Sequence, residues 1–171
     1  MEEKRYDVET VKARLHDYRE SARDLETQQE RLEKLKSKMI GMGAQVLTDM
    51  PKAHNQGVDR LVDLIQQKDE IEASITDLME YRQRERKFIE SVVRHMKKSD
   101  ERSVIRVRYI DNESWNDVVD VIFGGREDLL EKADIYLRRV YKLHGEALVE
   151  IAKYIEDHGI VWEARYNAEE I

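Results

Sequence analysis

The chain has 171 residues, of which 39% are charged, 40% hydrophobic and 7% aromatic, with one proline, seven glycines and no cysteine. That composition points to an all-α fold of one or two domains and excludes disulfide scaffolds, thiol nucleophiles and cysteine zinc sites. No apolar run approaches the ~18 residues of a membrane span, and the start MEEKRYDVET carries no apolar signal segment. The expectation is therefore a soluble, cytoplasmic protein with no membrane partner. The net charge of −7 argues against a nucleic-acid partner when taken whole.

The first segment runs from about Glu2 to Ile40. Val8, Val11, Leu15, Tyr18, Ala22 and Leu25 alternate at spacings of three and four, which is a heptad seam. Gln29 and Leu32 continue it, and Leu35, Met39 and Met42 resume it after a small phase slip. Gly41 suits a helix C-terminus, and Pro51 cannot continue a helix interior. The stretch from Gly41 to Gly57 is therefore a linker.

A second segment, from about Val58 to Lys97, carries the same stripe: Leu61, Ile65, Ile71, Ile75, Leu78, Ile89, Val92 and Met96. Each segment is near forty residues, or ~60 Å as a helix. Matched lengths across a breaker-rich linker predict an antiparallel helical hairpin, a coiled coil over residues 1–98. A lone hairpin buries one stripe per helix and needs a further partner. Self-association into a homo-oligomer, such as a four-helix bundle, is the expectation, with packing on the C-terminal part of the same chain as the alternative.

Composition shifts again near Ser99. Ser99 or Asp100 is a suitable N-cap for a helix ending at Ile110, in the turn Asp111-Asn112-Glu113. Ser114 with Asp117 three residues on resembles a capping box. A helix from Trp115 to Gly124-Gly125 follows, with Trp115, Val118, Val119 and Ile122 on one face. The polar stretch Arg126–Asp134 is a candidate for a short extra helix.

A longer helix then runs from about Ile135 to Asp157 and ends at Gly159. Leu137, Val140, His144, Leu148, Ile151 and Ile155 form its apolar face. Ile135, Arg138, Arg139, Lys142, Glu146 and Val149 lie opposite. The residues from 160 to 171 form a tail in which Trp162 and Tyr166 are candidates to dock on the bundle.

Three helices with a short amphipathic one in the middle make a helix-turn-helix arrangement over residues 99–159. Its last helix must bury one face and offer donors on the other. Between Ile135 and Gly145 there are three basic residues and no acid. Arg138, Arg139 and Lys142 are accordingly the leading DNA-contact candidates, since arginine pairs two-pronged with guanine and lysine neutralises phosphate. Ser114 and Arg126 join them. Arg94, Lys97 and Lys98 are candidate phosphate contacts, because the stretch Arg82–Lys98 sets seven basic residues against two acids. Gly145 is unusual inside a helix, where it costs ~1 kcal/mol against alanine. Close approach of another helix or of a nucleic-acid backbone explains it.

The string RYIDNESW…YLRRVYKLHGEAL resembles a family of phage and prophage proteins whose C-terminal helix-turn-helix is similar to the DNA-binding region of sigma factors. The residues that carry the resemblance are Arg108, Tyr109 and Ile110, then Ser114 and Trp115, then Val140, Tyr141, Leu143, His144, Gly145, Ala147 and Leu148. Related members resemble phage late-gene transcriptional regulators of the RinA and ArpU type. The resemblance implies double-stranded DNA as partner, and host RNA polymerase as a further one. The segment from Gly124 to Asp134 is longer than the roughly three- or four-residue turn of such a motif.

The five histidines are scattered, with no i, i+4 pair for a metal. His144 reads as a core histidine and Trp115 as core. No phosphate-binding glycine loop or nucleophile elbow is present. The sequence thus predicts no catalytic residue, no metal site and no cofactor. The alternative reading is a non-enzymatic phage assembly or DNA-packaging adaptor, similar to a terminase small subunit. The tail from Glu146 onward sets seven acids against two bases, and the stretch Glu101–Gly145 sets nine against eight. Weak non-specific DNA binding, dependent on oligomerisation, is the consequence.

Overall fold

The computed structural model describes residues 7–48 and 56–162, with side chains described at 7–42 and 59–162. Pro51 and Tyr166 lie outside the described residues. The described chain is all-helical. Helices α1 (Val8–Thr48) and α2 (Gln56–His95) form the long antiparallel hairpin that the heptad pattern predicts. They are followed by α3 (Ser99–Ile105), which runs on into a π-helical turn at Arg106–Ile110. Then come α4 (Trp115–Phe123) and α5 (Ala133–Asp157).

Several helix ends depart from expectation. Asp7 caps α1, its Oδ1 accepting from the Thr10 amide at 2.7 Å. That bond holds the Asp7 carboxyl below its ordinary range. Gly41 does not stop α1, which continues to Thr48. A helical glycine costs only ~1 kcal/mol, and the forty-odd residues around it carry it. Gly57 likewise lies inside α2. At α3 the N-cap is Lys98 and makes no side-chain cap bond, so neither Ser99 nor Asp100 takes that role.

Other ends match. Ser114 and Asp117 form a full capping box on α4, and Asp117 is held more acidic by its bonds to the Ser114 hydroxyl and amide. Gly159, at φ +59°, follows the end of α5 in the left-handed region that favours glycine. The stretch between α4 and α5 forms hydrogen-bonded turns and no extra helix. Asp128 ties those turns to α5 by accepting from Lys132 at 2.8 Å and from the Tyr136 hydroxyl at 2.7 Å.

The chain packs as two compact units. One comprises residues 21–82, the hairpin's longer stretch. Ser21, Leu35, Leu78 and Tyr81 are buried in it, and Arg82 donates to the Ser21 hydroxyl at 2.7 Å. Val62, Ile65 and Met79 stay exposed, as a two-helix pair dictates, since each helix has only one covered face.

The other unit joins the chain up to Glu20 to the chain from Gln83 onward. Val11, Leu15 and Tyr18 of α1 and Ile89, Val92, Val93 and Met96 share one core with Ala147, Leu148, Ile151, Ala152 and Ile155 of α5. The start of α1 and the end of α2 therefore pack on the C-terminal part of their own chain. The compact unit does not begin at the composition shift near Ser99. Trp162 is part of this core, its indole donating to the buried Glu85 carboxylate at 2.6 Å. Burial pushes the Glu85 carboxyl up. A second cluster joins α3, α4 and the first turns of α5 through Val104, Val118, Val119, Tyr136 and Val140.

Candidate nucleic-acid interface

Helix α5 is amphipathic along its whole length. Tyr136, Val140, His144, Ala147, Leu148, Ile151 and Ile155 are buried, while Ile135, Arg138, Arg139, Lys142 and Val149 are exposed. The two clusters that cover its inner face hold the outer face toward solvent. Arg138 makes no ion pair among the described residues. Arg139 lies over the Tyr136 ring, 5.2 Å from its centroid. Lys142 reaches Glu146 only at 3.9 Å and is 79% exposed. These three cations, a turn apart or adjacent, thus retain their donors.

The remaining candidates divide. Arg126 is exposed in the turns before α5, its amide held by Phe123 at 2.9 Å. Ser114 is exposed, but its hydroxyl is engaged with Asp117 in the capping box. Arg94 and Lys97 are exposed at the end of α2, and the Lys97 amide donates to Glu150 at 3.0 Å. Lys98 is committed elsewhere: its ammonium bonds the buried Glu101 at 2.7 Å and Glu146 at 2.9 Å. Those bonds raise its basicity, while burial pushes the Glu101 carboxyl up against them. Lys98 therefore clamps α3 to α5, and a sequence count of basic residues cannot distinguish that role from phosphate contact. Glu90, one of the two acids in that stretch, pairs with Arg106 at 3.1 Å.

His144 sits behind the exposed face. Its Nε2 and the Tyr109 hydroxyl are hydrogen-bonded at 2.8 Å, and its ring meets the Trp115 ring edge-on at 5.0 Å. Burial lowers its pKa to about 4, and the charges of Lys12 and Arg108 add to the effect. It is a neutral core group. Trp115 is half-buried, with Tyr141 edge-on at 5.1 Å and the Arg108 guanidinium 4.5 Å from its ring centroid. The resemblance string thus includes one connected aromatic cluster: Tyr109, Trp115, Tyr141 and His144.

Two concave features are found among the described residues. An acidic recess of about 420 Å³ is lined by Val107, Asp111, Glu113, Asp117, Asp120 and Val121. Its carboxylates give that side of α4 a negative potential. An open groove of about 830 Å³ follows α5 past Tyr141, Gly145 and Val149, with lysines and acids alternating on its rim. Among the described residues no group of His, Asp or Glu could hold a metal ion, and no helix is long and apolar enough to cross a membrane.

Residues 47–135, a little over half of the chain, match the model of DUF1492, described as a protein family of unknown function. The chain belongs to this family. The DUF1492 match takes in α2, α3, α4 and the opening of α5, and ends at Ile135, just before Arg138. No curated protein and no solved structure matches the chain.

Proposed function

We propose that this DUF1492 chain is a DNA-binding transcriptional regulator of the phage or prophage type, resembling the RinA and ArpU regulators, with α3, α4 and α5 acting as a sigma-like helix-turn-helix. The observation that carries the reading is the outer face of α5, where Arg138, Arg139 and Lys142 are exposed side by side and, among the described residues, meet no acid closer than Glu146, 3.9 Å from Lys142. A helix buried on one side and cationic on the other has the layout of a major-groove reader. The capped start of α4 supports the same reading, because it fixes how α4 packs on α5.

The function is non-enzymatic in this reading, and host RNA polymerase is its proposed further partner. The exposed apolar residues of the 21–82 unit support self-association through the hairpin. The direct test is the Arg138→Ala, Arg139→Ala, Lys142→Ala triple variant. Duplex binding should fall at least a hundredfold, at about 1–3 kcal/mol per base-reading pair, with helicity unchanged. A triple variant that binds duplex as the wild type does removes this face from the function.

A further inference from the structure

Of the tyrosines on α5, Tyr136 is buried, Tyr154 is half-buried and Tyr141 is 46% exposed. A tyrosine ring stabilises a fold mainly when it is covered, so the placement of Tyr141 is not explained by the core. Its ring meets Trp115 edge-on, with the centroids 5.1 Å apart. Among the described residues its hydroxyl has no hydrogen-bond partner. Trp115 is held by two further groups, the Arg108 guanidinium at 4.5 Å and the His144 ring at 5.0 Å. It also stands first in α4, directly behind the capping box of Ser114 and Asp117. Tyr141 is therefore anchored to α4 through Trp115 while the uncovered part of its ring faces solvent.

Arg138, Tyr141, Lys142 and Gly145 stand at i, i+3, i+4 and i+7 of α5, so they are neighbours on one face. Side chains on a helix lean toward its N-terminus, and one at position 145 would lie over the turn that carries Tyr141. Glycine leaves that ground bare, since even a Cβ there meets nothing within 4 Å. The helix-interior glycine thus keeps the Tyr141 ring open, at a cost in helix propensity. A ring with two torsions and one edge already anchored loses little freedom on binding, unlike the long cations beside it. Being neutral, it adds nothing to phosphate neutralisation. What it offers is apolar surface next to Arg138 and Lys142, and the apolar group that base pairs present in the major groove is the thymine 5-methyl. We propose that Tyr141 determines sequence preference, its ring packing on the methyl group of a thymine in the duplex bound at the α5 face. The proposal rests on the DNA-binding reading above and deepens it, by separating a residue that selects a base from the cations that surround it.

The test selects duplexes from a random pool with the full chain and with its Tyr141→Ala and Tyr141→Phe variants, and then measures affinity for the wild-type site by fluorescence anisotropy. That site should contain a T·A pair that Tyr141→Ala no longer selects and Tyr141→Phe still does. Replacing its thymine by uracil, which lacks only the methyl, should weaken wild-type binding about fourfold, as for one buried methyl group, and leave Tyr141→Ala unaffected. The salt slope of Tyr141→Ala should equal that of the wild type, because a neutral side chain releases no counterion, while the slope of the α5 triple variant falls. A folded Tyr141→Ala chain that selects the wild-type site with wild-type affinity overturns the proposal. If the α5 triple variant loses binding in that same experiment, the DNA reading stands without it. An equal loss in both single variants, spread evenly over all sequences, also overturns it, since the hydroxyl would then hold a phosphate. If Tyr141→Ala fails to fold, the uracil exchange with the wild type and Tyr141→Phe decides, and unchanged affinity at every thymine overturns the proposal. A wild type that binds no duplex removes both readings.

Discussion

His144 is surrounded by groups that oppose its protonation: an apolar pocket first, then Lys12 and Arg108. Its pKa of about 4 in the folded chain lies below the ordinary 6.5. Between those values the unfolded chain binds a proton that the folded chain does not. Stability should therefore fall as pH drops through that window and level off below it, by up to about 3 kcal/mol. His144→Gln keeps an acceptor for Tyr109 and cannot be protonated. Urea unfolding between pH 7 and pH 4 should show a shallower decline for the variant. Parallel declines for the two proteins would mean that His144 does not carry this dependence. The histidine's core placement is legible from its position on the apolar face of the helix. The cations that tune it come from α1 and the π-helical turn, so no spacing within the helix reveals them.

Helix α4 has only nine residues, too few to be stable without its caps and its packing. Ser114→Ala removes the hydroxyl that accepts from the Asp117 amide and should cost ~1 kcal/mol in thermal unfolding. Gly145 offers the opposite case. A Cβ built there meets nothing within 4 Å, so Gly145→Ala should stabilise the chain by about 0.5–1 kcal/mol. If the missing side chain serves a ligand's approach, duplex affinity falls while the melting temperature rises. A rise in melting temperature with unchanged affinity leaves the glycine without a role in binding. Helix ends were readable where one residue's chemistry decides them, as at Ser114, Gly124 and Gly159. They were not readable where packing decides. Ser99 follows the cap position because Lys98 is drawn to Glu101 and Glu146, and Gly41 is carried by the length of α1. The heptad stripe identified the buried side of α1 and most of that of α2, Ile65 being the exposed exception, but the same stripe fits a second chain or α5 as its cover. Only the structure shows α5 packed on Val11, Leu15 and Val92.

At the scale of the molecule, the net charge of −7 and the acidic recess beside α4 limit what one copy can do on DNA. Few cations are available, so the electrostatic part of the affinity is small, and a second copy on the same duplex is the economical remedy. The 21–82 unit has the features for pairing. Val62 is 56% exposed, Met79 55% and Ile65 41%, on helices whose remaining surface is largely charged. Each is a position where a charge costs a lone chain little, within about 0.5 kcal/mol, but where it would sit in the interface of a bundle. Val62→Glu with Ile65→Lys should therefore leave helicity intact, convert the oligomer to a monomer in sedimentation equilibrium, and abolish any dependence of melting temperature on protein concentration. Duplex affinity should fall with it, because two α5 faces no longer act together. A dimeric wild type fits the regulator, whose half-sites then follow the dimer's symmetry. A ring-sized oligomer favours the packaging adaptor. A wild type that is monomeric at all concentrations removes the hairpin as an oligomerisation element and leaves α5 to bind DNA alone.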